Sequence, residues 1–197
     1  MKDLIEGWRK HWCADMPFYF IQIAPWSGVK YEAGQLPALW EGQAATLKFQ
    51  HTGMAVITDL VDNIADIHPQ NKHDVGDRLA LWALAKDYGK DLPYSGPLLK
   101  SVAIESNTAR VTFAHASGLK SRDGKPLSEF KVAGADGTFV EATAEIDGET
   151  VIVKAEGVTP VTVQFGWHKL TNPNLVNGAG LPAAPFQSNN WTGGTGE

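Results

Sequence analysis

Residues Leu92-Pro93-Tyr94-Ser95-Gly96-Pro97 divide the chain into two stretches whose hydrophobic periods suit different sheets. Before this segment, strand-like and helix-like patterns alternate, which argues for a parallel sheet with helical crossovers. Phe18 to Ala24 is a seven-residue apolar and aromatic run stopped by Pro25, the pattern of a buried strand. Such a strand is expected to lie centrally, with Met54 to Thr58 as one neighbour. Leu36 to Phe49 spaces Leu36, Leu39, Trp40, Ala44 and Leu47 by three or four residues, with Pro37 in the first turn where its missing amide proton costs nothing. Lys72 to Tyr88 places Val75, Leu79, Trp82, Ala83 and Lys86 on one helical stripe, and Gly89 suits the left-handed position that ends a helix. The first ten residues also read as a helix, with Leu4, Ile5, Trp8 and then Trp12 on one side. Either Asp3 caps a true N-terminal helix, or the chain opens inside one and lacks its natural beginning.

After Pro97 the segments shorten and alternate. Lys100 to Ile104, Ala109 to Phe113, Phe130 to Val132, Thr138 to Ala142, Thr143 to Ile146, Val151 to Val153 and Val161 to Phe165 read as strands. Asp123-Gly124, Asp136-Gly137 and Asp147-Gly148 separate several of them, and the last predicts a hairpin through a type I′ turn. The fold class is therefore α/β with a parallel sheet, followed by an antiparallel β domain. Residues 192–197 are expected to be a disordered tail.

Composition removes several functions. Hydrophobic residues at 43% and charged residues at 20% are ordinary for a globular chain. A net charge of −5 supplies no basic stripe, so no nucleic-acid partner is expected. The single Cys13 excludes an intramolecular disulfide and a cysteine zinc site. No apolar run reaches the roughly 18 residues that crossing a membrane requires, and no membrane partner is expected.

The chemistry concentrates in Asp66-Ile67-His68-Pro69-Gln70-Asn71-Lys72. A histidine in the loop leaving the carboxyl end of a parallel strand sits where open α/β sheets bind ligands. His68 is the candidate general base, and Asp66, Asp62, Asp59 or a backbone carbonyl is the candidate group orienting its ring. Asp66, His68 and His73 have metal-ligating chemistry, but His73 falls inside the next helix without a third ligand at helical spacing, so neither metal nor cofactor is expected. Most tryptophans, Trp8, Trp12, Trp26, Trp40 and Trp82 among them, are assigned to the core, although Trp26 and Trp167 have settings from which to stack on a sugar ring.

A family resemblance runs through these segments. Met16 to Pro25, Leu36-Pro37-Ala38-Leu39-Trp40-Glu41-Gly42-Gln43 and above all Asp66 to Ala80 resemble the sialate O-acetylesterases, within the SGNH-type esterase superfamily. Gly96 to Ser101, Gly118 to Leu127, Phe130 to Ala135 and Gly180 to Phe186 resemble the β domain of the same family, so the likeness spans about Leu4 to Trp191. The resemblance implies an acetylated sugar as substrate, a periplasmic or secreted location, and a Ser-His(-Asp) mechanism with His68 and Asp66 in it. The family's serine motif and its Gln-Gly-Glu-x-Asn block are not found here, and no serine lies in a Gly-x-Ser-x-Gly context. The acid usual in the superfamily stands three residues before the histidine, a position held here by Ala65. Expected, then, are the C-terminal half of an SGNH-like three-layer domain over residues 1–94 and a β-rich domain over residues 95–191. The nucleophile would lie on a missing upstream segment, and self-association would follow through the exposed sheet edge. The alternative reading is a non-catalytic carbohydrate-binding or accessory module; an acetyl xylan esterase is a further one.

Overall fold

The computed structural model describes residues 1–28 and 31–188. The expected tail at residues 192–197 and the end of the expected β domain at 191 lie outside them.

Helix α1 (Lys2–Trp12) is closed by Cys13 in the left-handed region, φ 49°. Its apolar stripe is only partly used: Ile5 is buried, whereas Trp8 and Trp12, expected in the core, are 51% and 63% exposed. The reason is the kind of contact α1 makes. Trp8 meets Phe18 edge-on, and Arg9 donates to the carbonyls of Met16, Gln50 and His51, so polar bonds rather than buried area hold the helix.

Strand β1 (Phe18–Ile21) pairs in parallel with β2 (Thr52–Ala55), Phe18 opposite Thr52 and Ile21 opposite Ala55. Both strands differ from expectation. The second begins two residues before Met54 and ends at Ala55, and the first stops at Ile21. Beyond the bond from the Gln22 amide to the Ala55 carbonyl, the Gln43 side chain and the Trp40 indole take over the Ile21 and Ile23 backbone groups. Among the described residues β1 pairs only with β2, and the second neighbour expected of a central strand is not among them.

Helix α2 (Gln35–Ala44) joins the strands and tightens into a 3-10 turn over Ala45–Lys48, rather than continuing as α-helix to Phe49. The Thr52 hydroxyl, bonded to the carbonyls of Thr46 and Phe49, fixes this tighter end. α2 brings Ala44, with Leu47 of the 3-10 turn, onto the face carrying Phe20, Met54 and Val56. Helix α3 (Lys72–Lys86) covers the other face, with Val75 against Ile57 and Trp82 over Gly53. A Cβ at Gly53 would lie 2.5 Å from the Trp82 indole, so glycine is what lets this helix approach.

The remainder is a β sandwich. In chain order its strands are β3 (Leu98–Glu105), β4 (Thr108–Ala114), β5 (Lys120–Ser121), β6 (Phe130–Ala133), β7 (Phe139–Glu141), β8 (Thr143–Asp147), β9 (Thr150–Lys154), β10 (Thr162–Phe165), β11 (Leu175–Val176) and β12 (Phe186–Gln187). One sheet runs β3-β4-β9-β8 and the other β12-β10-β6-β7, all antiparallel, with β5 and β11 paired separately. Val111, Val151 and Val153 from the first sheet meet Val132, Val163, Phe165 and Phe186 from the second in one core. The hairpin between β8 and β9 turns on Gly148-Glu149, one residue later than Asp147-Gly148, because Asp147 pairs with Thr150. Only Gly148 has positive φ in that turn, which is not the expected type I′. The sandwich also reaches into the α/β part: Leu98 and Ala184 share a cluster with Phe20, Met54 and Val56.

Candidate active site

The loop leaving β2 is fastened at its start. Arg78 of α3 donates to both carboxylate oxygens of Asp59, at 2.6 and 2.7 Å, and to the Val56 carbonyl at 2.7 Å. Both side chains are largely buried, so this bidentate pair fixes where the loop begins. The far end is fixed by Asn71, which caps α3: its Oδ1 accepts the Asp74 amide at 3.1 Å while its Nδ2 donates to the Asp74 carboxylate at 2.8 Å.

Between these anchors lies the histidine. Asp66 Oδ1 accepts the backbone N–H of His68 at 2.9 Å and faces its ring Nδ1 at 3.3 Å. With Nδ1–H turned to the carboxylate, Nε2 is left as the proton acceptor. The ring is 82% exposed. The His68 backbone N–H holds the Asp66 carboxyl below its ordinary range, and the imidazole and Lys72 add to the effect. Asp66 and His68 are thus brought together. Asp59 is committed to Arg78, and Asp62 is exposed without a bond to the ring. No serine hydroxyl bonds to His68 among the described residues: Ser95 donates to the Gly96 carbonyl, Ser121 to Asp123 and Ser128 to Asn174. Among the described residues, no three His, Cys, Asp or Glu side chains gather as a metal would require.

Two further loops join this one. The Trp26 indole donates to the Ala65 carbonyl at 3.0 Å, and the Ser27 amide to the Ile64 carbonyl at 2.8 Å. The Trp26 amide in turn donates to the Lys169 carbonyl at 2.9 Å, and the Lys169 ammonium to the carbonyls of Gly28 and Tyr31. Loops from β1, β2 and β10 therefore meet at the carboxyl end of the parallel pair. Close to the same strand ends, Gln22 and Thr58 are each 1% exposed, and their polar side-chain atoms have no partner among the described residues. The roles of Arg78 and Lys169 were missed from the sequence. Arg78 had a signal, since it follows Val75 by three residues and so interrupts a buried stripe with a charge. Lys169 had none, because its partners stand about 140 positions away.

Comparison with known proteins extends this picture. No family model matches the chain. The sialate O-acetylesterase of Mus musculus is 29% identical over 143 residues, covering 62% of this chain and 26% of that protein. The sialate O-acetylesterase of Rattus norvegicus is 29% identical over 142 residues, with the same coverage. A solved carbohydrate acetylesterase from Xanthomonas citri superposes with a TM-score of 0.89 at 39% identity, over 95% of this chain and 44% of that one. The chain spans about a quarter of the length of the curated relatives it matches. By sequence and by fold together, it is related to the sialate O-acetylesterases and to carbohydrate acetylesterases of their kind.

Proposed function

We propose that this chain is the histidine-bearing part of a carboxylic ester hydrolase that removes O-acetyl groups from sialic acid or a related sugar. The nucleophilic serine belongs to a segment outside these 197 residues. In this reading residues 1–94 are half of an SGNH-type three-layer domain, residues 95–191 are its β companion, and the protein acts in the periplasm or outside the cell. The observation that carries the proposal is the Asp66 carboxylate on Nδ1 of an exposed His68, at the carboxyl end of a parallel strand pair.

The chemistry follows from that pair. His68 Nε2 takes the serine proton as the oxygen attacks the acetyl carbonyl, which a neutral hydroxyl does poorly on its own. As the tetrahedral intermediate collapses, the imidazolium returns the proton to the departing sugar oxygen, leaving an acetyl-enzyme. Water, deprotonated by the same nitrogen, then releases acetate and restores the serine. Asp66 keeps the proton on Nδ1 and offsets the charge that forms on the ring.

The absence of a serine bonded to His68 among the described residues also favours a second reading, a carbohydrate-binding module without catalysis. One assay separates them. The 197-residue chain should turn over p-nitrophenyl acetate at background rate, and in the longer gene product His68→Ala should lower kcat by about 10²–10⁴-fold. A loss under about tenfold in the longer product would remove His68 from the reaction. Robust turnover by the chain alone, abolished by a single Ser→Ala change, would overturn the missing nucleophile.

A further inference from the structure

The β10 exit loop that carries Lys169 also forms one wall of a cavity of about 130 Å³, lined by Glu129, Lys131, Glu141, Gln164, Trp167 and His168. The cavity lies on the same seam as the His68 loop: Lys169, two residues after Trp167, bonds to the loop whose Trp26 holds Ala65. The turn presenting Trp167 is heavily fixed. Glu129 is a non-glycine residue at φ 62°, a conformation that persists only where its surroundings impose it. Its carboxylate accepts from the Thr171 hydroxyl, from the Asn172 amide at 2.9 Å and faces His168 Nε2 at 3.3 Å. The Leu170 amide donates to His168 Nδ1 at 3.3 Å, which turns Nε2 to the Glu129 carboxylate. Gly166, φ 58°, passes so close that a Cβ there would lie 2.7 Å from the Thr171 hydroxyl.

What this rigid turn holds at the cavity wall is a half-buried indole. Among the described residues, Trp167 makes no ring contact, cation contact or side-chain hydrogen bond, although every neighbouring polar group is engaged. A half-buried indole without an aromatic partner, beside the Gln164 amide and the Lys131–Glu141 pair, 2.8 Å apart, is the chemistry that receives a sugar. The ring stacks on the C–H face, and the amide and ion pair meet hydroxyls. Charge then narrows the choice. Two carboxylates, Glu129 and Glu141, line the cavity with a single lysine, Lys131, which Glu141 already pairs, so a sugar carboxylate is disfavoured there.

We propose that this cavity is a subsite for a neutral pyranose, so that the acetylated substrate is a neutral saccharide rather than sialic acid. The proposal builds on the esterase reading only in calling the sugar a substrate; binding itself is independent of it. The test is saturation-transfer NMR on the 197-residue chain with xylotetraose, cellotetraose and N-acetylneuraminic acid as probes. At least one neutral oligosaccharide should bind, Trp167→Ala should weaken that binding by about tenfold or more, and Trp167→Phe should keep most of it. N-acetylneuraminic acid should bind at least about tenfold more weakly, and Glu141→Gln should strengthen its binding severalfold by freeing Lys131. No binding by either neutral sugar, binding indifferent to Trp167→Ala, or sialic acid binding as tightly as the neutral probes would each overturn the subsite. Because no turnover is read, an inactive His68 leaves these results standing, and intact esterase activity without binding sinks the subsite alone.

Discussion

In the β half, the buried Asn174 and Asn177 use their side chains fully. Asn174 bonds to Ser121, Asp123, Pro126 and Ser128, and Asn177 bonds to Ser95, His115 and Leu181. In the α/β half, Gln22 and Thr58 are as deeply buried, yet their side-chain polar atoms have no partner among the described residues. A finished core does not ordinarily leave such groups unpaired, because each costs about 1–3 kcal/mol. They stand at the carboxyl ends of the parallel strands, beside the His68 loop. The contrast teaches that the β half is built for stability, whereas the α/β half leaves unspent polar groups where a site would be assembled.

The largest expected effect tests the finished half. Phe165 is fully buried between Phe130 and Phe186, with ring centroids at 4.6 and 5.8 Å. Phe165→Ala should cost about 3–5 kcal/mol in urea unfolding. Its counterpart in the other half is Arg78→Ala, which strands the Asp59 carboxylate and should cost about 3 kcal/mol. If Arg78→Ala costs as little as an exposed substitution, the β2 loop does not depend on that pair. The next effect has the opposite sign. Gln22→Met removes two unpaired polar atoms from a buried site and should raise stability of this chain by about 1 kcal/mol. A marked loss would mean that Gln22 already has its partners and that the two halves do not differ as described.

How much of this could be read beforehand follows from how local each feature is. The sandwich strands around Val111, Val151 and Phe165 were legible because alternation along one strand reports its own burial. Strands β5, β11 and β12 have two residues each, too short for any period. His68 and Asp66 are two positions apart, so their meeting was visible, whereas the Trp26–Ala65 and Lys169–Gly28 bonds join distant loops. Trp8 and Trp82 sit on similar helical stripes, yet only Trp82 has a strand pair beneath it. Periodicity identifies an apolar face without saying whether anything covers it.

A smaller effect is a pH dependence at the proposed sugar subsite. Burial pushes the Glu129 carboxyl up, but hydrogen bonds from His168, Thr171 and Asn172 outweigh it and hold the group below its ordinary value of 4.5. A carboxylate lowered by folding stabilises the folded state above the ordinary value, and that contribution fades as pH falls through the lowered one. Wild-type stability should therefore decline below about pH 4.5, and Glu129→Gln should be less stable at pH 7 with a shallower acid decline. Parallel acid profiles for the two proteins would mean that Glu129 is not held as the turn requires.

The smallest effect on stability concerns α1 and the edge of β1, and it asks whether the α/β half is closed against other chains. Trp8→Ser should change unfolding free energy by no more than about 0.5 kcal/mol, since the indole is half in solvent and touches only Phe18 among the rings. Association is a different matter. The upper part of β1 is masked by the Gln43 amide, which accepts from the Ile23 N–H at 3.0 Å and donates to the Ile21 carbonyl at 3.1 Å, standing where a neighbouring strand would. Gln43→Ala uncovers both groups and should promote dimerisation of the 197-residue chain in sedimentation velocity, as an unprotected edge does. Trp8→Ser combined with it should reverse part of that association if the exposed helical stripe and the edge form one surface. A chain that stays monomeric in both variants at high micromolar concentration would show that Gln43 is not what keeps the edge from pairing, and that the α/β half is as closed as the sandwich.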